Sequence, residues 1–194
     1  MGTRLPKNRL VVVFGPSAGG KGRLIRTFRK RYPEMFRLSV SFTSRPPRPG
    51  EVDGADYRFT DRDTFMSMVE QGAFAEWAEY AGNCYGTALA SLDGGDTILE
   101  IERRGALQIR ERYPHALFIM VMPPDLNTLR RRLHARDNMT EYYVERRITE
   151  AKVEIAEGPQ IAHAIILNRD NIDNNGFEFE SAYRQFETAL QSLF

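Results

Sequence analysis

Residues 10–14 read LVVVF, five apolar positions with three β-branched residues, ended by Gly15-Pro16. A run this short and uniformly apolar predicts a strand buried on both faces. In GKGRLIRTFRKRY the apolar positions Leu24, Ile25 and Phe28 recur at helical spacing, and the pattern stops before Pro33. The alternation then repeats. TILEIE (97–102) predicts a strand and a helix follows from Gly105 to about Arg112. ALFIMVM (116–122) predicts another, followed by Pro123-Pro124 and a helix capped by Asp125. AIIL (164–167) leads to a C-terminal helix from Phe177, and RLSVS (37–41) supplies a fifth strand. Strand-helix alternation of this kind predicts an α/β fold whose five-stranded parallel sheet is covered by helices on both faces.

Residues 42–95 break the rhythm. SRPPRPGEVDG is rich in proline, glycine and charge, and a short helix follows, opened by the capping box Thr60-x-x-Asp63. FAEWAEYAGNCYG (74–86) has the pattern of a hairpin. The stretch reads as an inserted subdomain. A chain of 194 residues suits one domain with appendages. The paired Met66/Met68 and Met120/Met122 fit core filling.

Composition adds exclusions. No apolar run approaches 18 residues, so no transmembrane helix is expected, and MGTRLPKNRL has no secretory pattern. Pro6 stands where a myristoylation site after Gly2 wants Ser or Thr. Cys84 is the only cysteine, so no internal disulfide forms and a cytoplasmic setting is expected. A net charge of +1 argues against a nucleic-acid binder, although positive charge gathers in RTFRKR (26–31), RRRL (130–133) and VERRI (144–148). Such runs are either solvated helix faces or phosphate contacts. His115, His134 and His163 are scattered without metal-ligand spacing.

The candidate chemistry starts in GPSAGGKG (15–22), where Gly15, four residues, Gly20 and Lys21 have the spacing of a phosphate-binding loop. Glycines let backbone N–H groups turn toward phosphate oxygens, and the helix beginning near Lys21 aims its positive end at them. The position after the lysine, where a hydroxyl would face Mg2+, is Gly22.

Beside this loop stand SVSFTSRPPRPGEVDGADYRF (39–59), EWAEYAGNCYG (76–86), ILEIERRGA (98–106) and MPPDLNTLRRRL (122–133). Together they resemble the guanylate kinase family of P-loop nucleoside monophosphate kinases, in order from about Leu10 to Asp170. The resemblance implies a three-layer core (about 8–38, 96–133 and 149–194), a GMP-binding subdomain (about 39–95) and a mobile lid (about 134–148). It implies Mg2+-dependent transfer of the ATP γ-phosphoryl group to GMP or dGMP, in purine nucleotide metabolism, by a monomer or homodimer without nucleic-acid or membrane partners. ATP would lie on Gly15, Pro16, Ser17, Ala18, Gly19, Gly20, Lys21, Gly22 and Arg23, with Arg132 and Asn168. Arg45, Arg48, Tyr57 and Tyr85 match residues holding the GMP phosphate, where forked guanidiniums suit phosphate oxygens. Ser41, Glu76 and Thr87 match those reading guanine, whose N1–H and N2–H2 donors a carboxylate accepts together. Lys21, Arg45, Arg136 and Arg147 are the implied catalytic cations, Arg132, Arg136 and Arg147 closing from the lid.

The chain departs from the family's pattern. Gly22-Arg23 replaces a hydroxyl pair, and Glu100 and Glu102 stand where Asp-x-Asp is usual. In the family the first of these lies near the metal's waters and the second near the guanine amino group. The Tyr85–Glu100 connection is short, with Asp93-Gly94-Gly95 replacing most of a helix, and Cys84 stands where tyrosine is common. Adenylate kinases also carry Gly after the loop lysine, and Mg2+ is content with phosphate oxygens plus water. The expectation is that Glu100, through a water, compensates for Gly22. Two other readings stay open: a non-catalytic guanylate-kinase-like binding module, and a kinase for another acceptor such as ribose 1,5-bisphosphate.

Overall fold

The computed structural model describes residues 8–80, 82–137, 140–169 and 177–192, with the side chains of residues 136, 137, 177 and 178 set aside. The expectations for Gly2 and Pro6 lie outside the described residues.

Five strands form the parallel sheet: β1 (Leu10–Phe14), β2 (Arg37–Leu38), β7 (Thr97–Glu100), β8 (Leu117–Met122) and β9 (Ala164–Leu167), in the order β2-β7-β1-β8-β9. Side chains alternate across β1, which divides the core in two. Val11 and Val13 point to α1 (Lys21–Arg31) and α6 (Phe177–Gln191), where Leu24, Phe28, Tyr183 and Phe186 are buried. Val12 and Phe14 point the other way, to α3 (Arg103–Arg112) with Ala106 and Ile109. The three layers follow from this alternation.

A second sheet, β4-β3-β6-β5, comes from β3 (Phe42–Thr43), β4 (Arg58–Phe59), β5 (Phe74–Tyr80) and β6 (Asn83–Ala88). With α2 (Arg62–Glu70) it encloses Phe65, Phe74 and Cys84, and Met66 and Met68 pack around them. The edge of β5 is sealed by α3. The Gln108 amide donates to the Trp77 carbonyl (2.7 Å) and accepts from its N–H (3.2 Å), while Arg112 donates to the carbonyls of Phe74 (3.0 Å) and Ala75 (2.7 Å). The helices α4 (Leu126–Asp137) and α5 (Glu141–Glu157) pack on each other through Leu129, Leu133, Val144 and Ile148.

Four boundaries differ from expectation. The strand foreseen at 37–41 is β2 alone. The chain then leaves the sheet, and Phe42 packs edge-on to Phe74 in the subdomain, centroids 5.9 Å apart. The cap of α2 is Asp61, accepting from Thr64 N at 2.8 Å, because the Thr60 N–H is held by the Thr43 carbonyl (3.0 Å). The strand at 97–102 ends at Glu100, since Glu102 is already the N-cap of α3, which starts two residues before Gly105. Residues 89–92 form a 3-10 turn in the short connection. Asp125 caps α4 as expected, accepting from Thr128 N at 2.7 Å.

Phe28 is fully buried, edge-on to Phe186 at 6.1 Å between α1 and α6. Phe28→Ala removes a ring that nothing nearby can replace. The expected cost is about 3–5 kcal/mol of stability, read from urea unfolding midpoints.

Candidate functional site

The turn from β1 to α1 forms a cradle because two glycines accept what no side chain could. Gly20 has φ +102°, and a Cβ there would lie 2.0 Å from Asn168 Nδ2. Gly15 has φ +129°, and its Cβ would meet the Val121 carbonyl oxygen at 2.3 Å. The loop is seated from below. Asn168 Nδ2 donates to the Gly19 carbonyl (2.9 Å), and Arg132 donates to the carbonyls of Asn168 (3.1 Å) and Gly19 (3.4 Å). Lys21, only 7% exposed, donates to the Gly15 (2.6 Å) and Pro16 (3.1 Å) carbonyls, so its charge is drawn over the loop. From α5, Arg147 donates to Ser17 Oγ at 2.7 Å.

The β5–β6 hairpin builds the opposite wall. Glu76 pairs with Thr87 and Ala78 with Tyr85, so period-two alternation puts these four side chains on one face. A register shift between Phe74 and Glu76 lets Ala75 join the core under α3 while Phe74 stays in the subdomain core. Gly105 leaves room for the Glu76 carboxylate, since a Cβ there would lie 2.3 Å from its Oε2. Burial pushes the Glu76 carboxyl up to about 7, with Thr87 pulling the other way. Thr87 is buried behind the cleft surface, and its hydroxyl has no hydrogen-bond partner among the described residues.

Ser41, Arg48, Tyr57 and Tyr85 reach the cleft, with the two phenol rings 6.0 Å apart edge to face. Arg45 does not line it. Its guanidinium binds both oxygens of Glu51 at 2.9 Å and the Pro46 carbonyl, beside the Tyr57 ring. Glu51 also accepts from the Arg48 N–H at 2.7 Å. Burial alone would raise the Glu51 carboxyl, but the Arg48 N–H and the Arg45 guanidinium outweigh it and hold it low. Sequence reasoning passed over Glu51. An acid three residues after Arg48 in the Pro-Gly turn was the available signal.

Between the walls, Glu100 points its oxygens at the place where residue 22 has no side chain, 3.2 and 3.4 Å from an ideal Cβ. Arg26, also missed from sequence, brings NH1 to 3.0 Å of the same point. Glu102 lies deeper. Burial and then Glu154 push its carboxyl well up, against Lys21 and Arg147. Burial likewise raises Glu154 to about 7. Among the described residues no three His, Cys, Asp or Glu side chains are grouped to hold a metal ion by themselves.

One cleft of about 570 Å³ joins these parts. It takes in Ser17, Ala18, Gly20, Lys21, Gly22 and Arg23 from the loop, the subdomain residues above, and Glu100, Glu102, Arg132, Arg147 and Asn168. Gly15, Pro16 and Gly19 support the loop without lining the cleft. Arg23 stacks on the Phe179 ring, 3.8 Å from its centroid, at the cleft's edge. The side chain of Arg136, and residues 138 and 139 of the lid segment, lie outside the described residues.

The guanylate kinase family model matches residues 7–192. The chain is 42% identical over 179 residues to the guanylate kinase of Thermosynechococcus vestitus, spanning 90% of this chain and 92% of that one. It is 40% identical over 187 residues to that of a Nostoc species, spanning 94% and 89%. The crystal structure of guanylate kinase from Anaplasma phagocytophilum superposes with a TM-score of 0.71 at 28% identity, over 97% of this chain and 87% of that one. With a match along nearly its whole length, and one cleft joining a phosphate loop to a carboxylate-lined hairpin, the chain belongs to the guanylate kinase family.

Proposed function

We propose that this chain is a guanylate kinase that transfers the γ-phosphoryl group of ATP to GMP, and to dGMP, giving ADP and GDP or dGDP. The observation that carries the reading is the single cleft with the phosphate loop on one wall and Glu76 on the other. A phosphate oxygen of GMP attacks the γ-phosphorus, and the bond from that phosphorus to the bridging oxygen of ADP breaks. Both reacting phosphates are already ionised, so the protein's task is alignment and charge stabilisation. Lys21 and the loop N–H groups hold the donor's phosphates, with Arg132 and Arg147 approaching from α4 and α5 and Arg136 assigned beside them. Arg45, Arg48, Tyr57 and Tyr85 hold the acceptor's phosphate. Arg45 would have to share its guanidinium between Glu51 and that phosphate. Ser41, Glu76, Thr87 and Glu102 read the guanine, and the half-buried Glu102 suits an amino group beneath the base.

Mg2+ bound with ATP would neutralise part of the triphosphate charge. Glu100 is assigned to hold one of its waters, because it faces the space Gly22 leaves. Within this reading the core, the GMP-binding subdomain (39–95) and the lid (134–148) are separate moving parts of one domain. A cytoplasmic enzyme acting as a monomer or homodimer fits the single buried thiol of Cys84. Among the described residues no helix is long and apolar enough to cross a membrane.

The test is ADP release from Mg-ATP against GMP, dGMP, AMP, UMP and ribose 1,5-bisphosphate. Turnover with the guanine nucleotides alone is expected. Turnover with ribose bisphosphate and none with GMP would overturn the reading, as would GMP binding without turnover.

Glu76 gives a pH signature. Its carboxyl titrates at about 7 in the free protein, and guanine's two donors bind the ionised form. Binding therefore releases a proton below pH 7, and GMP affinity falls as the pH drops. The expected loss from the carboxylate alone is about tenfold between pH 8 and 6, with about a further twofold from the nucleotide's own phosphate near pH 6. Glu76→Gln should flatten the carboxylate's share and lower kcat/KM for GMP far more than ATP affinity. Equal losses on both substrates would remove Glu76 from guanine reading.

For Glu100, Glu100→Gln is expected to raise the Mg2+ concentration giving half-maximal rate and to weaken Mg-ATP relative to metal-free ATP in calorimetry. An unchanged metal dependence in both measurements contradicts the assignment.

A further inference from the structure

Arg26 is the cation in the cleft that the assignments above leave unused. It projects from α1 one turn after Gly22, and its NH1 lies 3.0 Å from where a Cβ at residue 22 would be. The Glu100 oxygens lie 3.2 and 3.4 Å from the same point. A side chain at residue 22 would press on both by a few tenths of an ångström, so the glycine gives the guanidinium room at this place. Arg26 has no hydrogen-bond or ion-pair partner among the described residues, and its side chain lines the cleft beside Lys21 and Gly22. Arg45, by contrast, is already held by Glu51. An arginine with free donors beside a phosphate loop presents a fork matched to phosphate oxygens.

Resting on the phosphoryl-transfer reading above, we propose that Arg26 is a further catalytic residue, contacting the transferring phosphoryl group from the space vacated at Gly22. The loss of a hydroxyl at residue 22 is then an exchange of one neutral metal ligand for a charged donor. Charge building on the phosphoryl oxygens is met by a guanidinium from the cradle's own helix as well as by arginines brought in on α4 and α5. The bonds made and broken are those of the transfer already described, and Arg26 exchanges no proton.

The test uses the full chain with Mg-ATP and GMP. Arg26→Ala is expected to lower kcat about 10- to 100-fold, the range of a lost electrostatic contact of this kind, with both KM values within threefold. Arg26→Lys should recover part of the rate, since it restores the charge without the fork. The melting temperature should not move, because Arg26 is exposed. The second arm is Gly22→Ser, which crowds Arg26 out. Arg26→Ala should then cost much less in the Gly22→Ser background than in the parent. If Arg26→Ala leaves kcat within twofold while the parent turns over GMP, the proposal is wrong and the kinase reading stands. Equal effects of Arg26→Ala in both backgrounds also overturn it, by removing the link to Gly22. A parent that does not turn over GMP in this assay overturns the kinase reading itself, and this proposal with it.

Discussion

The site depends on the contact between the phosphate loop and Asn168. A loop that points its N–H groups into a cleft turns some of its carbonyls the other way, and a buried carbonyl without a donor is costly. Asn168 supplies that donor to Gly19, and its own carbonyl is bound by Arg132. The contact works only because Gly20 has no side chain to block it. One amide thus ties the first strand's loop to the end of the last core strand and to α4. The cradle's shape is set by the far end of the sheet as much as by the residues within GPSAGGKG.

Electrostatics divides the cleft into two regimes. The loop wall is cationic and satisfied: Lys21 and Arg147 rest on neutral oxygens of the loop. The facing side is acidic, and burial pushes the carboxyls of Glu76 and Glu102 upward, as it does the buried Glu154, which does not line the cleft. A base carrying donors would suit that side, and a chain of phosphates the loop wall. Placing both kinds of need in one cleft selects a molecule with a donor-bearing base at one end and a phosphate at the other. In the proposed reading, adenine would be disfavoured, because its N1 would set a lone pair against the ionised Glu76 carboxylate.

Much of the fold was legible because it rests on periodicity. LVVVF and ALFIMVM lie inside the sheet and are buried on both faces, so their apolar runs are unbroken, whereas AIIL at the sheet's edge leaves Ile165 exposed. The helices between them keep their 3.6-residue spacing. The boundaries that were misread are places where tertiary pairing overrides local pattern. Residues 37–41 look like one strand, yet only Arg37 and Leu38 join the parallel sheet, and the chain has entered the second sheet by Phe42. Thr60 has the chemistry of a cap but is still committed to the ladder with Thr43, so Asp61 takes the role. In the site, GPSAGGKG and the Arg/Tyr set could be picked out by residue type and order. Glu51 and Arg26 could not, because their interest lies in what they face. Glu51 faces Arg45 and Arg48, and Arg26 faces an absence at Gly22 that only three-dimensional proximity reveals.

The seam between α3 and β5 has a mechanical meaning. Gln108 serves both polar groups of Trp77, and Arg112 holds two carbonyls beside it, so β5 is fastened to the core along one edge. The subdomain's other attachments are the short crossover at residues 39–41 and the 3-10 turn with its Asp93-Gly94-Gly95 connection. In the proposed reading, a body fixed along one edge and joined elsewhere by short connections would turn about that edge as a door turns about its hinge post. Glu76 lies on β5 next to the post and would travel little, whereas Arg48 and Tyr57 would be carried farther on the leaf. The base would then meet a nearly stationary reader, and most of the swing would be spent bringing the phosphate ligands in.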